Sequence, residues 1–355
     1  MINSVITGTG AYIPENVKKN EDFLSHIFYT ARHSKIDTTV QNTIQKFGEI
    51  TGIRQRVYAD PEISTSDMAI MAAKEAIRCS GVDIEKIDYI IVAHNYGDRS
   101  AGSRSGDNVP SLASRVKHHL GIKNSMCIPY DLIFGCPGWL QAVIQADLYI
   151  KSGNAHTCLV IGADTLSRVI DPSDRDCMLF SDGAGACILQ SKEGISEKGI
   201  LTSSVRSDTS DELDFIYSGP SNIPDDKDAL YLKMKGQKVY QYAVSRVPGA
   251  MKDCFDKTGI PIHKLKMIFL HQANEKMDAA IVREFYKLYG TEKLPENVMP
   301  MNIGWIGNNS VATIPILLHQ VITRQLPGFF LQQGDVIMLA SVGAGMNINT
   351  VVYEY

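Results

Sequence analysis

Apolar positions along the chain follow two spacings. Short, nearly continuous runs rich in β-branched residues recur at IDYIIVAH (87–94), CIPYDLIF (127–134), HTCLVIGAD (156–164), LKMIFLHQAN (265–274) and GDVIMLASVGAG (334–345). Runs of that kind predict strands covered on both faces. Between them, helical periodicity predicts helices in VPSLASRVKHHLG (109–121), from about Pro137 to Lys151, in AAIVREFYKLYG (279–290) and within VATIPILLHQVITRQ (311–325). The same order of elements occurs twice. In the second half NVMPMNIGW (297–305) stands where the middle strand stands in the first.

A repeated order of buried strands and helices predicts an α/β fold made of two duplicated halves, with sheets covered by helices in a layered sandwich. The boundary is expected after SDGAGACILQS (181–191), at the polar turn KEGISEKG (192–199), giving halves 1–191 and 192–355. Residues 96–110 are rich in Gly, Ser, Asp and Arg and read as a surface loop. Residues 206–229 are polar and irregular, and 20–50 predicts one or two amphipathic helices.

Composition narrows the function classes. With 355 residues and 44% hydrophobic positions, the chain can bury a large core. A net charge of −4 without any Lys/Arg run argues against a nucleic-acid partner. The N-terminus lacks the charged and apolar regions of a secretory signal, and no apolar run is long enough for a bilayer. The expectation is a cytoplasmic protein without a membrane partner. Seven cysteines form no CxxC pair and no zinc-type spacing, so free thiols in a reducing compartment are expected, with no metal and no cofactor.

One cysteine stands apart. In FGCPGWLQAV a strand ends, Gly135 permits a sharp turn, and Cys136 stands at the start of a helix, with Pro137 suited to the first turn. A thiol there feels the positive end of the helix dipole, which favours thiolate, and nearby backbone N–H groups can hold an oxyanion. Cys79, Cys127, Cys158, Cys187 and Cys254 lie within helix- or strand-patterned runs, and nothing around Cys177 suggests a nucleophile.

Two partners follow from the duplicated order. His271 leaves the end of the apolar strand MIFL, where side chains emerge toward a site. Asn308, in WIGNNS, takes the place in the second half that Cys136 takes in the first. His94 is the duplicate of His271 and its best rival. A lone strand-end His or Gly-flanked Asn is otherwise an ordinary structural residue.

Together these segments resemble the β-ketoacyl-[acyl-carrier-protein] synthase III group of the thiolase superfamily. The resemblance is carried by GTGAYIPE (8–15), TGIRQR (51–56), the Cys136 turn, DPSDR (171–175), SDGAGA (181–186), HQAN (271–274), GNNS (307–310) and VGAG (342–345). It implies the five-layered αβαβα thiolase sandwich, usually a homodimer. It implies that Cys136 is acylated by an acyl-CoA or acyl-carrier thioester. His271 and Asn308 would then bind the carbonyl of a malonyl-carrier extender, with the backbone N–H groups of Cys136 and Ala344 as oxyanion hole. Arg175, Asn274 and Lys276 take the places of substrate- or carrier-binding residues.

Some segments depart from the family pattern. QKFGEI (45–50) lacks the Trp and Arg that flank the coenzyme A nucleotide in typical members, the 96–110 loop is expanded, and Pro follows the cysteine. These departures point away from a short acyl-CoA primer. The implied chemistry is a decarboxylative Claisen condensation. Alternatives are non-decarboxylative condensation, acyl transfer to an oxygen or nitrogen acceptor, and a non-catalytic partner subunit, the last opposed by the intact Cys–His–Asn set. A basic face including Lys252, Lys257, Lys264, Lys266, Lys276 and Arg283 is a candidate for carrier docking or an ordinary solvated surface.

Overall fold

The computed structural model describes residues 2–355 apart from 104, 195–198, 224, 225, 227, 228 and 292. In chain order it opens with strands β1 (Ile2–Tyr12) and β2 (Asn16–Lys19), helix α1 (Val40–Thr51), strand β3 (Gln55–Tyr58) and helix α2 (Thr65–Ser80). Then come β4 (Tyr89–Ala93), α3 (Leu112–Leu120), β5 (Ile128–Leu132), α4 (Gly138–Lys151), β6 (Thr157–Thr165) and β7 (Asp182–Glu193). The remainder carries β8 (Gly199–Ser207), β9 (Ile216–Gly219), β10 (Tyr231–Met234), α5 (Gly236–Asp256), β11 (Leu265–Leu270) and α6 (Glu275–Lys287). It closes with α7 (Ile303–Ile306), α8 (Thr313–Ile322), β12 (Val336–Gly343) and β13 (Asn347–Glu354).

Two sheets repeat one topology. The first runs β1-β7-β6-β4-β5 and the second, in the matching direction, β8-β13-β12-β11. In both, the first three strands alternate antiparallel and the next joins in parallel. In the first sheet β5 adds a further parallel strand beside β4. Among the described residues, the second sheet forms no counterpart of β5. Residues 297–302 run where it would lie, and Val298 C=O accepts from Ile268 N–H at 2.7 Å, but the segment turns into α7. The Gln272 side chain holds it there, donating to Pro300 O and accepting from Asn302 and Ile303 N–H.

Three hydrophobic clusters bind five layers together. Helices α2 and α3 cover the outer face of the first sheet, through Met68, Ala72, Leu112 and Val116 against Ile90, Leu159 and Ile161. Helices α4 and α8 fill the space between the sheets, with Leu140, Val143, Ile150, Leu317 and Val321 packed against residues of both. Burying each such side chain contributes roughly 1.5–3 kcal/mol of transfer free energy. Helices α5 and α6 cover the second sheet. The expected five-layered α/β sandwich of two duplicated halves is therefore what forms.

Local expectations shift in detail. The stretch 20–50 forms a 3-10 turn (Asn20–Phe23) and the single helix α1. Helix α6 starts at Glu275 rather than 279 because Asn274 caps it, its side chain accepting from Met277 N–H at 3.1 Å. Strand β7 runs on to Glu193, and residues 195–198 of the expected boundary turn lie outside the described residues. The stretch 206–229 contains β9, paired with β10. Among the described residues, no helix is long and apolar enough to cross a membrane.

Candidate active site

Parallel strands deliver their carboxyl ends to one side of each sheet, and functional side chains collect there. In the first sheet these ends carry Asn95 just after β4, Cys136 just after β5, and Asp164 in β6. In the second they carry His271 after β11 and Ala344 after β12.

The turn before Cys136 requires glycine. Gly135 has φ +69°, and a Cβ there would lie 2.9 Å from Ala344 N. Gly343 is equally confined: its Cβ would meet Cys136 N at 2.6 Å. Both glycines are bare because the backbone around Ala344 lies directly against the backbone around Cys136. The two N–H groups expected to form the oxyanion hole thus belong to touching segments from the two sheets. Pro137 has helical φ/ψ, and its C=O accepts from Gln141 N–H at 2.9 Å in the first turn of α4.

Asn308 reaches the same place through Ser310. Its Oδ1 accepts from Ser310 N–H at 2.9 Å, which leaves the Nδ2 end as donor. Its own N–H donates to Leu179 O at 3.0 Å, and its C=O accepts from Ser181 N–H at 2.9 Å. Ser310 Oγ lies 3.5 Å from Cys136 Sγ. Asn308 does not stand at the first turn of α8 as expected, since the 3-10 turn Ser310–Ala312 intervenes.

His271 and His94 end equivalent strands but differ in partners. His94 Nδ1 accepts from Gly97 N–H at 3.0 Å, so its proton sits on Nε2 and is donated to Asp131 at 3.0 Å. Asp131 also accepts from Leu112 and Ala113 N–H, capping α3. His94 is a structural residue with both nitrogens engaged. His271 is 3% exposed, and its Nδ1 has no partner among the described residues. Burial lowers its pKa to about 4, so the ring is neutral near pH 7 and offers one N–H. The backbone N–H of His271 donates to Ala340 O at 2.9 Å, fixing the residue beside β12.

The electrostatics of Cys136 run against the dipole expectation. Burial, with the nearby Asp164 charge, pushes its thiol up to about 11, while the Ser310 hydroxyl and its own backbone N–H lower it. Removing a thiolate from water opposes the stabilisation that a helix terminus provides.

The three outer candidates separate. Asn274 is occupied as the cap of α6. Arg175 is exposed, with one loose ion pair to Asp176 at 3.9 Å. Lys276 is exposed on a surface cavity of about 630 Å³ that Gln45, Glu49, Arg54 and Glu275 also line. No aromatic ring lines that cavity. Sequence reasoning passed over Ser310, Asn95 and Asp164. The Ser of GNNS and the polar residues at two strand ends were the available signals. It also passed over Gln272, which is 1% exposed and holds the 300–303 segment by donating to Pro300 O and accepting from Asn302 and Ile303 N–H.

A half-buried thiol at a strand–turn–helix junction between two repeated sheets, with Ser310 of the Asn308 loop 3.5 Å from its sulfur, fits the class of thiolase-fold condensing enzymes. Comparison with known proteins agrees. The family described as 3-oxoacyl-[acyl-carrier-protein] synthase III matches residues 130–209, and its C-terminal counterpart matches 255–355. The chain is 31% identical over 360 residues to the β-ketoacyl-[acyl-carrier-protein] synthase III of Chelativorans sp. (strain BNC1), covering 100% of both chains. It is 32% identical over 348 residues to that of Rhodospirillum centenum, covering 97% of this chain and 96% of the relative. The crystal structure of 3-oxoacyl-[acyl-carrier-protein] synthase III from Aquifex aeolicus VF5 superposes with a TM-score of 0.81 at 30% identity, covering 99% of this chain and 100% of that one. The chain belongs to the β-ketoacyl-[acyl-carrier-protein] synthase III family.

Proposed function

We propose that Cys136 is the acylated nucleophile and that His271 and Asn308 hold the thioester oxygen of the extender. The supporting observation is the close approach of the backbone at Gly135 and Cys136 to the backbone at Gly343 and Ala344. In the first half-reaction the Cys136 thiolate attacks an acyl thioester, the Cys136 and Ala344 N–H groups steady the oxyanion, and the carrier thiol leaves. In the second, a malonyl thioester loses CO₂. The resulting enolate oxygen is held by the His271 N–H and the Asn308 Nδ2–H, and its carbon attacks the acyl-Cys carbonyl. The C–S bond breaks and a β-ketoacyl thioester departs. The enzyme is an acyltransferase in this reading.

The outer surface supports a narrower donor choice. Gln45 and Glu49 line the cavity beside Lys276, and neither can stack on an adenine ring. The donor is a longer or carrier-bound acyl thioester, with Lys276 and Arg175 at its approach. The two halves 1–191 and 192–355 act as one unit, each supplying part of the site, within a cytoplasmic homodimer.

Intact-protein mass spectrometry against a panel of acyl-carrier and acyl-CoA donors tests the loading step. A single acyl adduct on Cys136, absent in Cys136→Ala, is expected. An adduct that survives in Cys136→Ala refutes the assignment. Release of labelled CO₂ from malonyl carrier during turnover tests the second step, and acyl transfer without CO₂ release would replace it with a non-decarboxylative reaction.

A further inference from the structure

Behind Cys136 lies a chain of buried polar groups that the triad does not use. Asp164 in β6 is 1% exposed and Ser310 is 4% exposed. Asn95 connects them. Its backbone N–H donates to Asp164 Oδ1 at 2.9 Å, and its Nδ2 donates to Asp164 Oδ2 at 2.7 Å and to Ser310 Oγ at 3.1 Å. The reversed amide would set an oxygen against the Asp164 carboxylate, so the orientation is fixed.

This arrangement gives the Ser310 hydroxyl a direction. An amide N–H only donates, so Ser310 Oγ must accept from Asn95 and its own proton must go elsewhere. Two acceptors are within reach: Cys136 Sγ at 3.5 Å, and the Asp164 carboxylate, which already accepts twice from Asn95. A thiolate is much the better sulfur acceptor, so charge on Cys136 draws the proton to it.

The backbone supports the same reading. Ser310 has φ +49°, a region that non-glycine residues rarely adopt and that functional sites tolerate when neighbours enforce it. Here the Asn308 Oδ1 bond to Ser310 N–H enforces it. Close packing does the rest: a Cβ on Gly162 would lie 2.5 Å from Val311 O, so the strand carrying Asp164 lies flush against the segment carrying Ser310.

We propose that Ser310 is a catalytic hydrogen-bond donor to the Cys136 sulfur, and that Asn95 and Asp164 are positioning residues that aim its hydroxyl. The proposal rests on the reading of Cys136 as nucleophile. The donor acts whenever charge resides on sulfur. It does so before acyl loading, and again at condensation, when the new C–C bond forms, the C–Sγ bond breaks and its electron pair returns to sulfur. The proton stays on the serine oxygen throughout. It offsets the Asp164 charge, which opposes thiolate at Cys136. Among the described residues, His94 acts on the Asp164 charge and is itself bonded to Asp131, and Tyr96 lies in the field of both Asp164 and Cys136.

The test reads the thiol without any acyl donor. Alkylation of Cys136 by iodoacetamide, mapped by peptide mass spectrometry, is followed against pH in the wild type, Ser310→Gly and Asn95→Ala. Glycine suits the backbone at φ +49° and removes only the side chain. Losing a hydrogen bond to a charged group predicts about tenfold slower alkylation near neutral pH for Ser310→Gly, with the rate midpoint moved to higher pH. Asn95→Ala should move it in the same direction by less, and it decides the matter if Ser310→Gly fails to fold. Unchanged profiles in folded variants overturn the role of Ser310. Persistence of acyl loading in Cys136→Ala would instead overturn the nucleophile reading, and this inference with it.

Discussion

At the scale of single residues, two histidines at equivalent strand ends show how environment assigns roles. His94 gives its proton to Asp131 and takes one from Gly97, so nothing remains for a ligand. His271 is buried with a ring nitrogen that has no partner among the described residues, which suits its proposed hold on a substrate oxygen. Its burial has a thermodynamic signature. The imidazole titrates near 6.5 when unfolded and at about 4 when folded. Between those values the unfolded chain binds a proton that the folded chain refuses, so this residue costs stability as pH falls through that window and nothing above it. His271→Asn removes the term. The variant's Tm should therefore fall less than the wild type's between about pH 7 and pH 5. Equal acid sensitivity in thermal unfolding followed by circular dichroism would contradict the buried neutral ring.

Elements set distances that residues cannot. Strands β5 and β12 come from different sheets, yet their ends touch closely enough to exclude two Cβ atoms. Gly135 is the sharper probe, since it needs both the positive φ and the space. Gly135→Ala should cost roughly 1–2 kcal/mol from the backbone alone. It should also push the Ala344 segment away from Cys136. The expected outcome is a protein with a slightly lower urea midpoint and at least about tenfold slower acyl loading, because an oxyanion donor is displaced. Normal loading in a folded variant would show that the Ala344 N–H is not needed. The short segment 297–302 belongs to this scale too. Periodicity predicts a strand there, but the side chain of Gln272 holds it as the segment that leads into the Asn308 loop.

At the scale of the molecule, two sheets share one helical layer, so each half depends on the other for burial. Helix α8, from the second half of the chain, packs against β1 and β7 of the first sheet as well as β11 of the second. Edge strand β5 is less well covered: Ile128 is 45% exposed and Ile133, just beyond it, 66%. An uncovered apolar edge strand invites pairing. Pairing through this edge would make the homodimer proposed above, for which light scattering coupled to size exclusion should give twice 39.1 kDa. A monomer mass at micromolar concentration, or a dimer unaffected by Ile128→Lys, would place the interface elsewhere or remove it.

Much of this was legible in one dimension. The buried strands, the duplicated order and the Gly–Cys–Pro turn follow from properties of residues a few positions apart: β-branched runs, helical spacing and a glycine that permits a positive φ. Those local rules brought out Cys136, His271 and Asn308. They missed the fate of Asn274, whose side chain caps a helix, because capping and ligand binding use the same polar atoms. Only the tertiary structure decided which histidine is free, and only it aligned Asp164, Asn95 and Ser310 behind the sulfur. The hydrogen bonds in that chain link residues 69, 215 and 174 positions apart. Burial, which pushes the Cys136 thiol up to about 11, is likewise a tertiary effect. The physical reason is one of range. Backbone preference acts between near neighbours in sequence, whereas desolvation and buried hydrogen bonds depend on which distant segments the core packs together.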